Sequence, residues 1–133
     1  MTGDRLSVSA CRSATERFGV SARKPVLRAL CGFLEANDGT TGLDFSFGLP
    51  AALLPGGVGT WSAAIGWFVE TFDADADTMR DRLKERARAQ PGDGVELKRQ
   101  TDAAVGANSP YSFITYYQTL YGIREVLSPL ARS

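Results

Sequence analysis

The chain opens with apolar and polar positions in alternation. Leu6, Val8 and Ala10 fall on one side and Ser7, Ser9 and Cys11 on the other, which predicts a half-buried strand over 6–11. Residues 12–22 show no clear period and read as a loop. The period then lengthens. Val26, Leu27, Leu30, Phe33 and Leu34 make one apolar face of a helix over 24–37. Pro25 suits the first helical position, where its missing N–H costs nothing. Asn37-Asp38-Gly39 offers residues that tolerate the left-handed conformation at its end. Alternation returns over 41–47. Leu43, Phe45 and Phe47 share one face, Asp44 and Ser46 the other, so a second strand is expected, stopped by Gly48-Leu49-Pro50.

Beyond Pro50 the pattern is helical. Residues 51–54 allow a single turn, and 55–59 form a glycine-rich loop. Thr60 is the expected N-cap of a helix over 61–72, with Trp61, Ile65, Phe68, Val69 and Phe72 at helical spacing. Asp77 is the expected cap of a further helix over 78–89. Its apolar positions are Met79, Leu83 and Ala87, so most of it should face water. Pro91-Gly92-Asp93-Gly94 reads as a turn, and 95–108 fits helix or loop. Ser109-Pro110 should start a last helix over 111–127, with Phe113, Tyr117, Leu120, Val126 and Leu127 near one side, and Ser128-Pro129 should end it. Two strands are too few to shield so many apolar helix faces. The order therefore predicts part of a larger α/β sheet.

Composition narrows the chemistry. The 133 residues make one domain's worth of chain, and 44% hydrophobic content supports a core. Fifteen Lys plus Arg balance fifteen Asp plus Glu, so contact with a polyanion needs a local patch. No apolar run reaches the roughly 18 residues of a membrane helix, and no leader pattern is present. A cytoplasmic protein without membrane contact is expected. Cys11 and Cys31, in apolar surroundings, read as small core residues. The absence of His removes Ser–His and Cys–His nucleophiles and His-based zinc sites. Metal chemistry would rest on carboxylates, whose oxygens suit Mg²⁺ or Mn²⁺.

The segment Gly42-Leu43-Asp44-Phe45-Ser46-Phe47-Gly48-Leu49-Pro50 resembles a strand end of the predicted RNase H-like nuclease family, domain of unknown function 429. The Arg-rich run over 79–89, LKRQTDAAVGANSPYSF over 97–113 and YYQTLYGIREVLSPL over 116–130 are similar to later stretches of that family, in the same order. The resemblance implies an RNase H-like fold: a small mixed sheet with helices packed on it, and divalent metal held by carboxylates at strand ends. It also implies metal-dependent phosphodiester hydrolysis, with nucleic acid as the partner of a complete member. Of the family's acidic positions only Asp44 is matched, so the resemblance implies Asp44 as catalytic and metal-binding residue. The chain opens on Met1-Thr2-Gly3-Asp4 and stops at Ser133. The expectation is a single RNase H-like domain over 1–133, truncated at both ends.

One carboxylate does not order two cations about 4 Å apart, because their repulsion needs several negative charges nearby. Asp4, Asp38 and Asp102 could supply further oxygens. Ser46 reads as a hydrogen-bonding neighbour of Asp44, since no base accompanies it. Lys98, Arg99 and Asp102 are candidate substrate-binding residues, as a phosphate contact or as an ion-paired cluster. The run over 80–88 is interleaved with Asp81 and Glu85 and reads as self-compensated. Gly56-Gly57-Val58-Gly59 lacks the Lys-Ser/Thr of a phosphate loop. Trp61, Trp67, Tyr116, Tyr117 and Tyr121 read as core or interface residues rather than base-stacking platforms. Two functions are thus open: a metal-dependent nuclease module, catalytically incomplete in this chain, or a non-catalytic domain that binds a partner or forms a homo-oligomer.

Overall fold

The computed structural model describes residues 8 and 10–132. Among them no strand forms, which overturns the α/β expectation of a partial RNase H-like mixed sheet. The elements are α1 (Ala14–Phe18), α2 (Arg23–Ala36), a 3-10 turn (Ala51–Leu53), α3 (Trp61–Thr71), α4 (Ala76–Arg88) and α5 (Gln100–Val105). A final rod follows, made of α6 (Tyr116–Tyr121), a π-helical segment (Gly122–Leu127) and α7 (Ser128–Arg132). The first expected strand falls largely on Leu6, Ser7 and Ser9, which lie outside the described residues. Val8, Ala10 and Cys11 carry no regular structure and are exposed.

The second expected strand has the alternation but no neighbour. A strand needs a ladder partner for its backbone groups, and none of the described residues provides one. Residues 41–50 instead form an irregular arm held by side chains. The Phe45 ring packs directly on the backbone of Gly122, and the Phe47 carbonyl accepts the Trp61 indole N–H at 2.8 Å. The arm then drops Leu49 and Pro50 into the interior.

The core lies between α3, α4 and the final rod. Ile65, Phe68 and Phe72 of the α3 region meet Met79, Leu83 and Ala87 of α4 and Leu120, Ile123 and Leu127 of the rod. The α4 stripe is the one read from the sequence, and its charged remainder faces outward. Asp75 rather than Asp77 caps this helix, accepting from the Thr78 N–H at 2.7 Å. Asp77, in the first turn, accepts from the Tyr116 hydroxyl at 2.9 Å and ties α4 to α6. That bond, made by the neutral phenol, pushes the Tyr116 pKa up to about 12. Thr60 caps α3 through the Ala63 N–H at 3.1 Å, as expected.

The arginine run does not compensate itself. No ion pair forms within 80–88 among the described residues. Arg82 donates to the Thr71 carbonyl, Arg86 to the Leu53 carbonyl and Arg80 to the Tyr111 carbonyl. Arg124, from the rod, donates to Phe72 and Ala74 carbonyls. The carbonyls of Leu53, Thr71 and Phe72 stand at helix ends, where no intrahelical partner exists, and these arginines supply one.

Three further boundaries differ from expectation. A short helix, α1, sits where a loop is expected, begun by a Ser13–Glu16 capping box and ended by Gly19 at φ 70°. Helix α2 starts at Arg23, which puts Pro25 at the third position, and Asn37 ends it in extended rather than left-handed backbone. The last helix begins at Tyr116, after turns over 110–115, and passes Pro129 instead of stopping. The π-helical segment explains this passage. In an α-helix the Glu125 carbonyl would bond the N–H of residue 129, which proline lacks, and the ring would press on that carbonyl. Widening to the π form relieves the clash. The freed Glu125 carbonyl accepts the Cys31 thiol at 3.2 Å. Burial is the main cause raising the Cys31 pKa, so it stays a thiol and keeps this donor. Cys31 is thus a core residue, whereas Cys11 is exposed, contrary to expectation.

Candidate functional site

Two motifs that stand far apart in the sequence meet in space. Leu49-Pro50, with Ala51 and Ala52 of the 3-10 turn, forms one wall of an open groove of about 620 Å³. Gln90-Pro91 and the segment from Leu97 to Thr101 form the other. One wall is apolar and the other carries Lys98, Arg99, Gln100 and Thr101. No acidic residue lines it.

The cationic wall is set by a buried tyrosine. Tyr111 is fully buried, its hydroxyl donating to the Val95 carbonyl at 2.8 Å and accepting the Leu97 N–H at 2.7 Å. Burial is the main cause raising its pKa, so the hydroxyl keeps its proton for the first bond. These bonds hold the irregular segment before α5 against the core and leave Lys98 and Arg99 lining the groove.

Arg99 is held in turn by Asp102. Its Nε and Nη2 donate to Oδ2 and Oδ1 at 2.8 and 2.7 Å, a bidentate pair across the first turn of α5. Oδ2 also accepts the Arg99 backbone N–H at 3.0 Å. Asp102 is 5% exposed. The Arg99 guanidinium, foremost through its side-chain bonds, holds the Asp102 carboxyl below the usual range, and Asp102 raises Arg99 likewise. A guanidinium has five N–H donors; two are used by Asp102. The other three remain for a ligand, on a side chain whose rotamer is already fixed.

Of the residues singled out in the sequence, the structure brings Lys98 and Arg99 into the groove, with Asp102 behind them. Asp44 does not join them. It is exposed on the arm preceding Leu49, is not part of the groove lining, and has no hydrogen bond or ion pair among the described residues. Mg²⁺ or Mn²⁺ between clustered carboxylates would need several oxygens at one spot, and no group of three or more His, Cys, Asp or Glu is placed to hold a metal among the described residues. Asp102 is committed to Arg99, Asp38 is exposed, and Asp4 lies outside the described residues. Sequence reasoning missed Leu49-Pro50, Gln90-Pro91 and Tyr111 as parts of the site. The Tyr111 role had no local signal, since its partners are fourteen and sixteen residues away.

No family model, no curated protein and no solved structure matches the chain. Among the described residues no helix is long and apolar enough to cross a membrane.

Proposed function

We propose that the chain acts by binding rather than by hydrolysis, as a non-catalytic interaction domain whose ligand-facing surface is the groove between Leu49-Pro50 and Lys98-Arg99. The convergence of those two motifs in one groove carries this reading. Lys98 and Arg99 on the wall, offset by the single buried Asp102 behind them, leave one net positive charge and favour an anionic partner. Phosphates of a nucleic acid are such an anion, and contacts to them position a partner without reading sequence. The hydrolytic reading that the family resemblance offers has less support, because Asp44 stands apart from the groove and from other carboxylates.

A short single-stranded oligonucleotide, titrated with Mg²⁺ and then Mn²⁺ present, tests the reading by amide chemical shifts. Shifts should centre on residues 97–101 and on Ala51 and Ala52, disappear in Lys98→Glu, and leave the strand uncut. Metal-dependent cleavage that vanishes in Asp44→Asn would overturn it, as would shifts confined to surfaces away from the groove.

Self-association is a second reading, favoured by two consecutive large apolar side chains, Phe113 and Ile114, which are 78% and 69% exposed. Sedimentation should then show a concentration-dependent dimer that Phe113→Asp dissociates. A monomer at every concentration removes that reading.

A further inference from the structure

The large buried cluster includes no residue of α1 or α2, and α2 meets the rod along one side only, where Cys31 bonds the Glu125 carbonyl. Helix α2 is amphipathic, yet only Cys31 in it is buried, and Phe33 is 40% exposed. Its apolar face opens on a cavity of about 510 Å³ between the two helices. That size falls within the range of small-molecule pockets. Phe18, Val26, Leu30 and Phe33 give it apolar walls, and Arg12 and Arg17 also line it. The Arg17 guanidinium carbon lies 5.2 Å from the Phe33 ring centre and 5.8 Å from that of Phe18. Neither arginine has an ion-pair partner among the described residues. The acid nearest in sequence, Glu16, is absent from the lining and accepts from the Ser13 N–H instead.

Among the described residues this apolar cavity carries two guanidinium groups without an ion-pair partner and no carboxylate in its lining, which makes it complementary to one kind of ligand. We infer that it binds a free aliphatic carboxylate, with the hydrocarbon chain against Phe18, Val26, Leu30 and Phe33 and the carboxylate at Arg12 and Arg17. Guanidinium–carboxylate hydrogen bonds are charge-assisted, and Arg12 and Arg17, both exposed at the mouth, present their donors to an entering anion. A second copy of the chain fits less well. A two-fold contact sets the same patch against itself, which would bring arginines to arginines at a like-charge cost. The cavity shares no lining residue with the groove above, so this site stands or falls independently of the proposed function.

Calorimetric titration with hexanoate, octanoate and decanoate, each below its micellar concentration, tests it. Affinity should rise with chain length, by up to about fourfold per added methylene. Decanol should bind at least tenfold more weakly than decanoate. The Arg12→Gln/Arg17→Gln double variant should lose at least tenfold for decanoate and little for decanol. Phe33→Glu, at a partly exposed position that folding tolerates, should abolish binding while the melting curve stays cooperative. Equal affinity for decanol and decanoate overturns the proposal. So does decanoate binding that survives the arginine changes or Phe33→Glu, association with anionic vesicles without binding of the free acid, or a dimer in sedimentation that Phe33→Glu dissociates.

Discussion

Replacing Gly122 by Ala sets two effects of known sign against each other. The residue has φ −61° and ψ −48°, ordinary helical backbone, so a side chain costs nothing conformationally. Helix propensity alone would make Ala about 1 kcal/mol better than Gly here. The space says otherwise. A Cβ at position 122 would lie 2.3 Å from Phe45 Cδ2, 2.6 Å from Cγ and 2.7 Å from Cε2. Carbon atoms in good contact sit about 3.5–4.0 Å apart, so the ring would have to retreat by more than ~1 Å. Overpacking of this kind costs about 1–3 kcal/mol. Displacing the arm that carries Phe45 would also loosen Phe47, whose ring is 5.3 Å away. The net expectation is a loss of up to about 2 kcal/mol, read as a lower urea midpoint by circular dichroism at unchanged slope. In a Phe45→Ala background the clash is gone, and Gly122→Ala should then stabilise by up to about 1 kcal/mol. A stabilised single variant, or the same loss in both backgrounds, would mean that Phe45 does not sit on Gly122.

Asp102→Asn should destabilise by about 1.5–3 kcal/mol, the usual worth of hydrogen bonds to a charged group. The pH dependence has a definite sign. The folded carboxyl titrates below its unfolded value of about 4. Its contribution is therefore whole above that value and lost as pH falls through the folded pKa, and Asp102→Asn should flatten the acid limb of the stability curve. Cys31→Val should cost about 1–3 kcal/mol in chemical denaturation, because it leaves the Glu125 carbonyl facing an apolar side chain, whereas Cys31→Ser, which keeps a donor, should cost less. Tyr111→Phe removes the hydroxyl that anchors Val95 and Leu97, so hydrogen exchange should speed up at Leu97 while the helical amides of α3 hold.

The helices were legible wherever period and cap agreed. The α2 and α3 stripes, the Met79–Leu83–Ala87 face and the Thr60 cap were all readable from local spacing. So was α1, in principle: Ser13 with Glu16 three residues on, then Gly19, is a helix start and stop that the loop assignment passed over. Boundaries set by competing acids were harder. Asp75 and Asp77 are both good caps, and Tyr116, thirty-nine residues away, takes up the second.

Three things were decided only in the folded chain. Alternation over 41–47 signals one face packed and one free, but the segment is an irregular arm pinned by Phe45, with Ser46 half-buried and Phe47 exposed, so the pattern alone could not supply a sheet. Proline at 129 forbids an ordinary helix, and the Glu125 carbonyl it leaves free finds its donor in a thiol ninety-four residues upstream of that carbonyl. The arginines of α4 look self-paired along the helix, yet Arg80, Arg82 and Arg86 bond carbonyls outside it, and Arg80 pairs with Glu96 rather than with a carboxylate of its own helix. By itself, the amino-acid order determined the helical periods, the Thr60 cap and the neutral charge balance, because those act through neighbours within a turn or two. The groove, the exposure of Asp44 and the absence of strand pairing among the described residues depend on which distant groups arrive beside one another, and only tertiary packing decides that.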